Sequence, residues 1–203
     1  MPIDFFISPC AKPDGNCQIA GVVCSAVTNQ DRFGISDANS HLRRPAEVRL
    51  NDEPNWDFTV INSNNKEVNF KAVDFCVDIY RTGTYDLDDD NRDVSQFSSD
   101  NANPVYIELI KRCEGFLTFD SSILFIEIKR RPHGNWLSDA REKFEETILS
   151  FMEHHPDSPF NVIEPIVSNM LFNRVHQSEM VQKKILKDKI GVELKIQKSY
   201  EIV

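Results

Sequence analysis

No stretch of this 203-residue chain reaches 18 consecutive apolar residues, so no membrane-spanning helix and no membrane partner are expected. The first ten residues, Met1 to Cys10, lack a basic run and are interrupted by Pro2, Asp4 and Pro9. That pattern is not a secretory signal, and a cytoplasmic location is the default expectation. Cysteine is sparse and odd in number: Cys10, Cys17, Cys24, Cys76 and Cys113. An odd set without a secretory signal argues against a disulfide framework. The even seven-residue steps from Cys10 to Cys24 match no zinc-site spacing. Cys76 and Cys113 sit in apolar runs and read as buried thiols. A glycine-rich phosphate loop and a nucleophile elbow are both missing. Positive charge is also short, with a net charge of −9. This weighs against a protein that coats nucleic acid nonspecifically, because phosphate neutralisation needs Lys and Arg. It leaves room for a local basic strip.

What remains is ordinary globular composition. At 40% hydrophobic and 27% charged residues, with fourteen Phe, the chain can bury one sizeable core. Residues 1–55 carry scattered Pro and Gly among short apolar pieces and read as an irregular N-terminal segment, packed on or part of the same domain. Residues 56–203 are patterned as an α/β domain. Trp56 to Asn62 alternates toward a strand. Val68 to Tyr80 is ambiguous between strand and helix; in a helix Asp74 and Asp78 would share a face. Arg81 to Asn103 is polar and acidic and is expected to be a long loop. Within it, Tyr85 to Asp93 lacks the Gly and terminal Glu of a calcium loop. Ser138 or Asp139 is expected to cap a helix running to about Glu153, with Leu137, Ala140, Phe144, Ile148, Phe151 and Met152 as its apolar stripe. His154 and His155 then read as a polar loop. Phe160 to Val167 reads as a strand broken at Pro165. Ser178 to Lys189 reads as a basic helix with Met180, Val181, Ile185 and Leu186 inward, ended by Gly191. Val192 to Ile202 closes as a strand. Strand, hairpin, helix, strand, helix, strand implies a mixed sheet with helices on its faces.

The chemistry concentrates between Cys113 and Arg131. Two apolar runs flank a polar turn at Asp120 to Ser122. Folding them antiparallel about Asp120-Ser121 sets Glu114 level with Glu127. Glu127 and Lys129, two apart, share one strand face, while Leu124, Ile126 and Ile128 take the other. Two carboxylates and an ammonium then meet at one end of the hairpin. Mg²⁺ is held by one or two carboxylates, waters and substrate phosphates, so Glu114, Glu127 and the Ile128 carbonyl form a candidate ligand set. Lys129 could position the attacking water or stabilise charge on the phosphate. Lys111-Arg112 and Lys129-Arg130-Arg131 lie at the same hairpin end, which suits a phosphate backbone, with Arg130 and Arg131 as phosphate-binding candidates. Asp74 could add an upstream acid.

At these residues the chain resembles the PD-(D/E)XK nuclease superfamily, in which an acid opens one strand and a (D/E)-x-K tripeptide sits on the next. Glu127-Ile128-Lys129 matches the tripeptide, and Glu114 stands where the family usually has Asp. The resemblance covers roughly residues 56–200 at the level of element order. It implies a restriction-endonuclease-like fold and Mg²⁺-dependent hydrolysis of DNA. It also implies a helix after the motif strand that carries a Gln or Lys toward the site, for which Lys143 is the nearest candidate. RNA is an alternative substrate, and double-strand cleavage would call for a homodimer or larger assembly. A second E-x-K, Glu193-Leu194-Lys195, lacks a hairpin partner opened by an acid. The rival reading keeps the fold without catalysis, as an interaction or structural partner in a larger assembly. The Glu in place of Asp and the acidic net charge feed that reading.

Overall fold

The computed structural model describes residues 3–6, 24–37, 44–51, 53–83, 94–96, 106–130, 134–169, 171 and 177–203. Cys10, Cys17, Arg131 and the acidic run 85–93 lie outside the described residues. Cys24, Cys76 and Cys113 are free, buried thiols.

The N-terminal segment contributes three strands: β1 (Ser25–Thr28), β2 (Arg32–Ser36) and β3 (Glu47–Arg49). After a 3₁₀ turn at Glu53–Asn55 come β4 (Phe58–Ile61) and β5 (Val68–Ala72). The expected long loop holds strand in its described part. Tyr80–Gly83 (β6) and Val94–Gln96 (β7) flank Tyr106–Leu109 (β8) in an antiparallel three-stranded sheet. The pairing partner β8 comes later in the chain, so composition alone did not show it.

Next come β9 (Gly115–Phe119) and β10 (Ser122–Lys129), joined by Asp120-Ser121 as expected. Asp120 adopts φ 49°, a left-handed conformation that Asp tolerates in tight turns. Helix α1 (Trp136–His154), β11 (Asn161–Val162), β12 (Ile166–Asn169), helix α2 (Gln177–Ile190), β13 (Lys195–Ile196) and β14 (Ser199–Glu201) complete the order.

The main sheet runs β1-β5-β9-β10-β12-β13, with β11 also on β10. Its first three pairings are antiparallel, and β10, β12 and β13 are parallel. Parallel neighbours need crossovers, and α1 and α2 provide them. A second sheet, β14-β4-β2-β3, takes the end of the expected closing strand. The break after Ile196 thus divides Val192 to Ile202 between two sheets. Pro165 interrupts β11 and β12 where an interruption was expected.

As a central strand, β10 is buried on both faces, not one. Phe125 lies against Phe151 of α1, with ring centroids 5.6 Å apart. The face carrying Glu127 is therefore covered by α1. That helix starts at Trp136 after Asn135, with no side-chain cap, rather than at Ser138 or Asp139. Its stripe is as expected except for Met152, which is exposed, and it adds Trp136, Thr147 and Ser150. In α2, Leu186 and Ile190 face inward, whereas Met180 and Val181 are exposed. Polar contacts to α1 orient this helix: Lys189 pairs with Glu145, and Arg141 donates to Gln182. Lys183 and Lys187 pair with Glu179 and Glu193, so three lysines of this basic helix, with Lys189, are in ion pairs.

Candidate active site at the hairpin end

The ladder of β9 and β10 pairs Ile126 with Gly115, so its next step sets Glu127 opposite Glu114. Gly115 is needed beside it: an added Cβ would lie 2.5 Å from the Lys71 carbonyl of β5. At the Glu pair a side chain takes over from the backbone. The Glu114 N–H donates to Glu127 Oε2 at 3.1 Å. Glu127 Oε1 lies 2.7 Å from Lys129 Nζ and 2.9 Å from Lys143 Nζ. Lys143 Nζ also lies 3.5 Å from Glu114 Oε1. The hairpin and α1 thus bring Glu114, Glu127, Lys129 and Lys143 together. All four are shielded from water, and Glu127 is fully buried.

Lys143, the candidate that the resemblance implies, faces the carboxylates rather than solvent. It lies one position before the buried Phe144, on the flank of α1 that lies over Glu127. Lys129 Nζ also donates to Asp139 Oδ2 at 2.6 Å, and Lys111 reaches Asp139 and Glu142 at 3.1 Å each. Asp139, read from sequence as a cap, instead anchors two lysines.

Burial, and then the Glu127 charge, push the Glu114 carboxyl well above the usual carboxylate range, aided by Asp37 and Asp74 and opposed by Lys143. Burial would pull the Lys143 ammonium down, but Glu127, Glu114 and Asp74 together hold it above its ordinary value. Burial also works against ionised Asp139; its bonds to Lys129 and Lys111 prevail and lower it to about 2. Burial, reinforced by Glu127, raises the Cys113 thiol and keeps it protonated.

Asp74 lies near the site without joining the ion-pair cluster. It sits in a turn after β5, not on a helix, and it shares Arg112 with Asp78 at 3.2 and 3.0 Å. It also accepts the N–H of Phe75, whose φ of 62° is unusual for a bulky residue. Arg130 meets buried Asp57 through two parallel bonds of 2.7 and 2.8 Å. Asp57 Oδ2 also accepts from the Asp37 N–H at 2.9 Å and Ser36 Oγ at 3.2 Å. The bond to Asp57 holds the Arg130 guanidinium above its ordinary pKa. Asp57 and Asp37 are not marked by any motif in the sequence, and Asp139 is marked only as a cap. The signal for Asp57 was a lone acid between Trp56 and Phe58, at the head of an apolar strand.

The Ile128 side chain is a buried hydrocarbon without a donor atom, so the residue can offer a metal only its carbonyl. Among the described residues no group of three His, Cys, Asp or Glu could hold a metal ion. The set still suits Mg²⁺, which is held by one or two carboxylates and keeps several waters. Glu114 and Glu127 converge on one cationic point, the Lys143 ammonium, and their mutual repulsion is what a divalent cation would relieve. The second E-x-K forms only surface pairs, Glu193 with Lys187 and Lys195 with Glu164.

Comparison with protein-family models, curated proteins and solved structures returns no match. No helix among the described residues is long and apolar enough to cross a membrane.

Proposed function

We propose that this protein is a metal-dependent nuclease that hydrolyses DNA phosphodiester bonds at the hairpin end. The observation that carries the reading is the convergence of the Glu114 and Glu127 carboxylates on one ammonium, with Lys129 at their side. The order hairpin, α1, then β12 parallel to β10 supports a restriction-endonuclease-like core. Glu114, Glu127 and the Ile128 carbonyl would hold Mg²⁺. When bound, the ion would lower the pKa of a water and offset charge on the phosphate.

The chain's own groups do the rest. Lys129 presents its ammonium to the reacting phosphate and stabilises its developing negative charge. Asp139 fixes the direction of Lys129. Lys143 balances the carboxylates and keeps the pair ionisable inside the fold. Helix α1 excludes water from one side, which strengthens each of these interactions.

A second reading is favoured by one observation: the ionic groups also satisfy one another. Glu127 has two lysines, and Arg130 has Asp57. A closed set of this kind suits a noncatalytic member of a larger assembly. Cleavage by the intact protein separates the two, and Lys129→Ala then tests the role of Lys129. The nuclease reading expects metal-dependent DNA cleavage to fall by about 10²–10⁴-fold, the usual weight of one such group, with the far-UV spectrum unchanged. Unchanged cleavage by the variant would remove Lys129 from the chemistry.

A further inference from the structure

Cys24 and Lys71 form a buried pair that the hairpin chemistry does not use. Lys71 Nζ donates to Cys24 Sγ at 3.2 Å, and the cysteine and lysine are only 5% and 4% exposed. A lysine so far from water is costly unless its nitrogen is hydrogen-bonded inside the fold. The backbone holds the pair in place. Strands β1 and β5 run antiparallel with Ser25 opposite Lys71, and the Ala72 N–H donates to the Cys24 carbonyl at 2.8 Å. Among the described residues β1 ends the main sheet, so Cys24 stands at its edge. Edges open locally at a lower cost than central strands, which lets a water-sized oxidant reach the sulfur.

The contrast with Cys113 is chemical. Cys113 is fully buried at the start of β9, and its thiol donates to the Gly115 carbonyl at 3.6 Å. The sulfur of Cys24 instead accepts from a lysine nitrogen. A cation donating to sulfur favours the thiolate, the form that peroxides attack.

We infer that Cys24 and Lys71 are an oxidation site, at which a peroxide joins β1 to β5 through a covalent bond between Sγ and Nζ. The Cys24 sulfur attacks the O–O bond of hydrogen peroxide, giving a sulfenic acid and one water. The Lys71 amine already lies within the separation from which bonds form. It displaces the hydroxyl: the S–O bond breaks, the S–N bond forms, and the amine proton leaves with hydroxide as a second water. Sulfur gives up two electrons and the peroxide takes them. Thiol, amine and one peroxide thus yield the link and two waters, and the linked pair is two hydrogen atoms lighter. A sulfenic acid condenses in this way with a nitrogen held beside it. The bond closes residues 24–71 into a covalent loop, which restrains the unfolded chain as a disulfide does.

The test is peptide mass spectrometry of the folded, intact protein after treatment with hydrogen peroxide. Remaining thiols are alkylated without reduction before digestion with trypsin. The expected product joins the peptide carrying Cys24 to the peptide carrying Lys71, two hydrogen atoms lighter than their sum. Trypsin should no longer cut after Lys71, fragmentation should place the link at Cys24, and dithiothreitol should release it. A disulfide from Cys24 to Cys76 would lose the same mass but leave the cut after Lys71 intact, and it would overturn the inference. So would a sulfenic or sulfinic acid at Cys24 with no link, an unmodified Cys24, or a link that forms only in urea. Cys24→Ser should lose the product; the same product persisting through Cys10 or Cys17 would also overturn it.

Discussion

Lys143→Met should lower the unfolding free energy by about 3–5 kcal/mol, the range for breaking a buried ion pair from one side. Methionine fills a similar volume, so the loss reports charge rather than packing. Lys143 is the one ammonium that touches both carboxylates. Without it Glu127 retains Lys129, while Glu114 faces Glu127 with no ammonium against it. The double variant Lys143→Met, Glu114→Gln should recover a large part of the loss, because one of the two competing carboxylates is gone. Urea denaturation measures both. A loss below about 1 kcal/mol for the single variant would mean that water screens the cluster as it does surface pairs.

Glu114→Gln should instead stabilise the protein at pH 8, by about 1–2 kcal/mol, the usual yield of relieving one unfavourable interaction. The sign follows from the raised Glu114 pKa. Above the ordinary glutamate pKa the unfolded chain has lost this proton while the folded chain still holds it. The stability supplied by that proton is complete at low pH. It declines as pH rises toward the folded value, and beyond that value the full penalty of a buried charge remains. Glutamine carries no such penalty at any pH. The two proteins should therefore differ at pH 8 and converge near pH 4, where Glu114 is protonated in both states. Thermal unfolding at the two pH values reads this directly. A variant less stable than the parent at pH 8 would mean that the Glu114 carboxylate is held by favourable contacts. A residue that lowers stability where it stands is characteristic of functional sites.

The part of the site carried by local pattern was legible in the chain. A two-residue turn fixed the register of β9 and β10, and register fixed Glu114 against Glu127. Period two then put Lys129 beside Glu127, and the hairpin, helix, strand order led to the mixed sheet. What stayed hidden depended on partners remote in sequence. Lys143 is singled out only through the resemblance; by pattern it reads as one more charge on a charged helix face, and its pairing with both carboxylates shows only once α1 is laid over β10. Asp57 and Arg130 are 73 residues apart, and nothing in either neighbourhood announces the other. The strands of the N-terminal segment are short, and although β2 and β3 pair with each other, the further partners of β1 and β2, β5 and β4, lie downstream. Asp74 and Asp78 would share a face only in a helix, whereas a turn and Arg112 bring them together. Met180 and Val181 show the limit of periodicity. It found the helix, while its orientation was set by Leu186, Ile190 and the polar contacts to α1.

The proposal that the buried carboxylate pair serves phosphodiester hydrolysis is open to direct test. Its most direct test is cleavage of mixed single- and double-stranded DNA with Mg²⁺ or Mn²⁺, comparing the intact protein with Glu127→Ala, both shown folded by circular dichroism. Metal-dependent cleavage by the intact protein, and none above background by the variant, is the expected result. Absence of cleavage by the folded intact protein, or equal cleavage by the two, would contradict it.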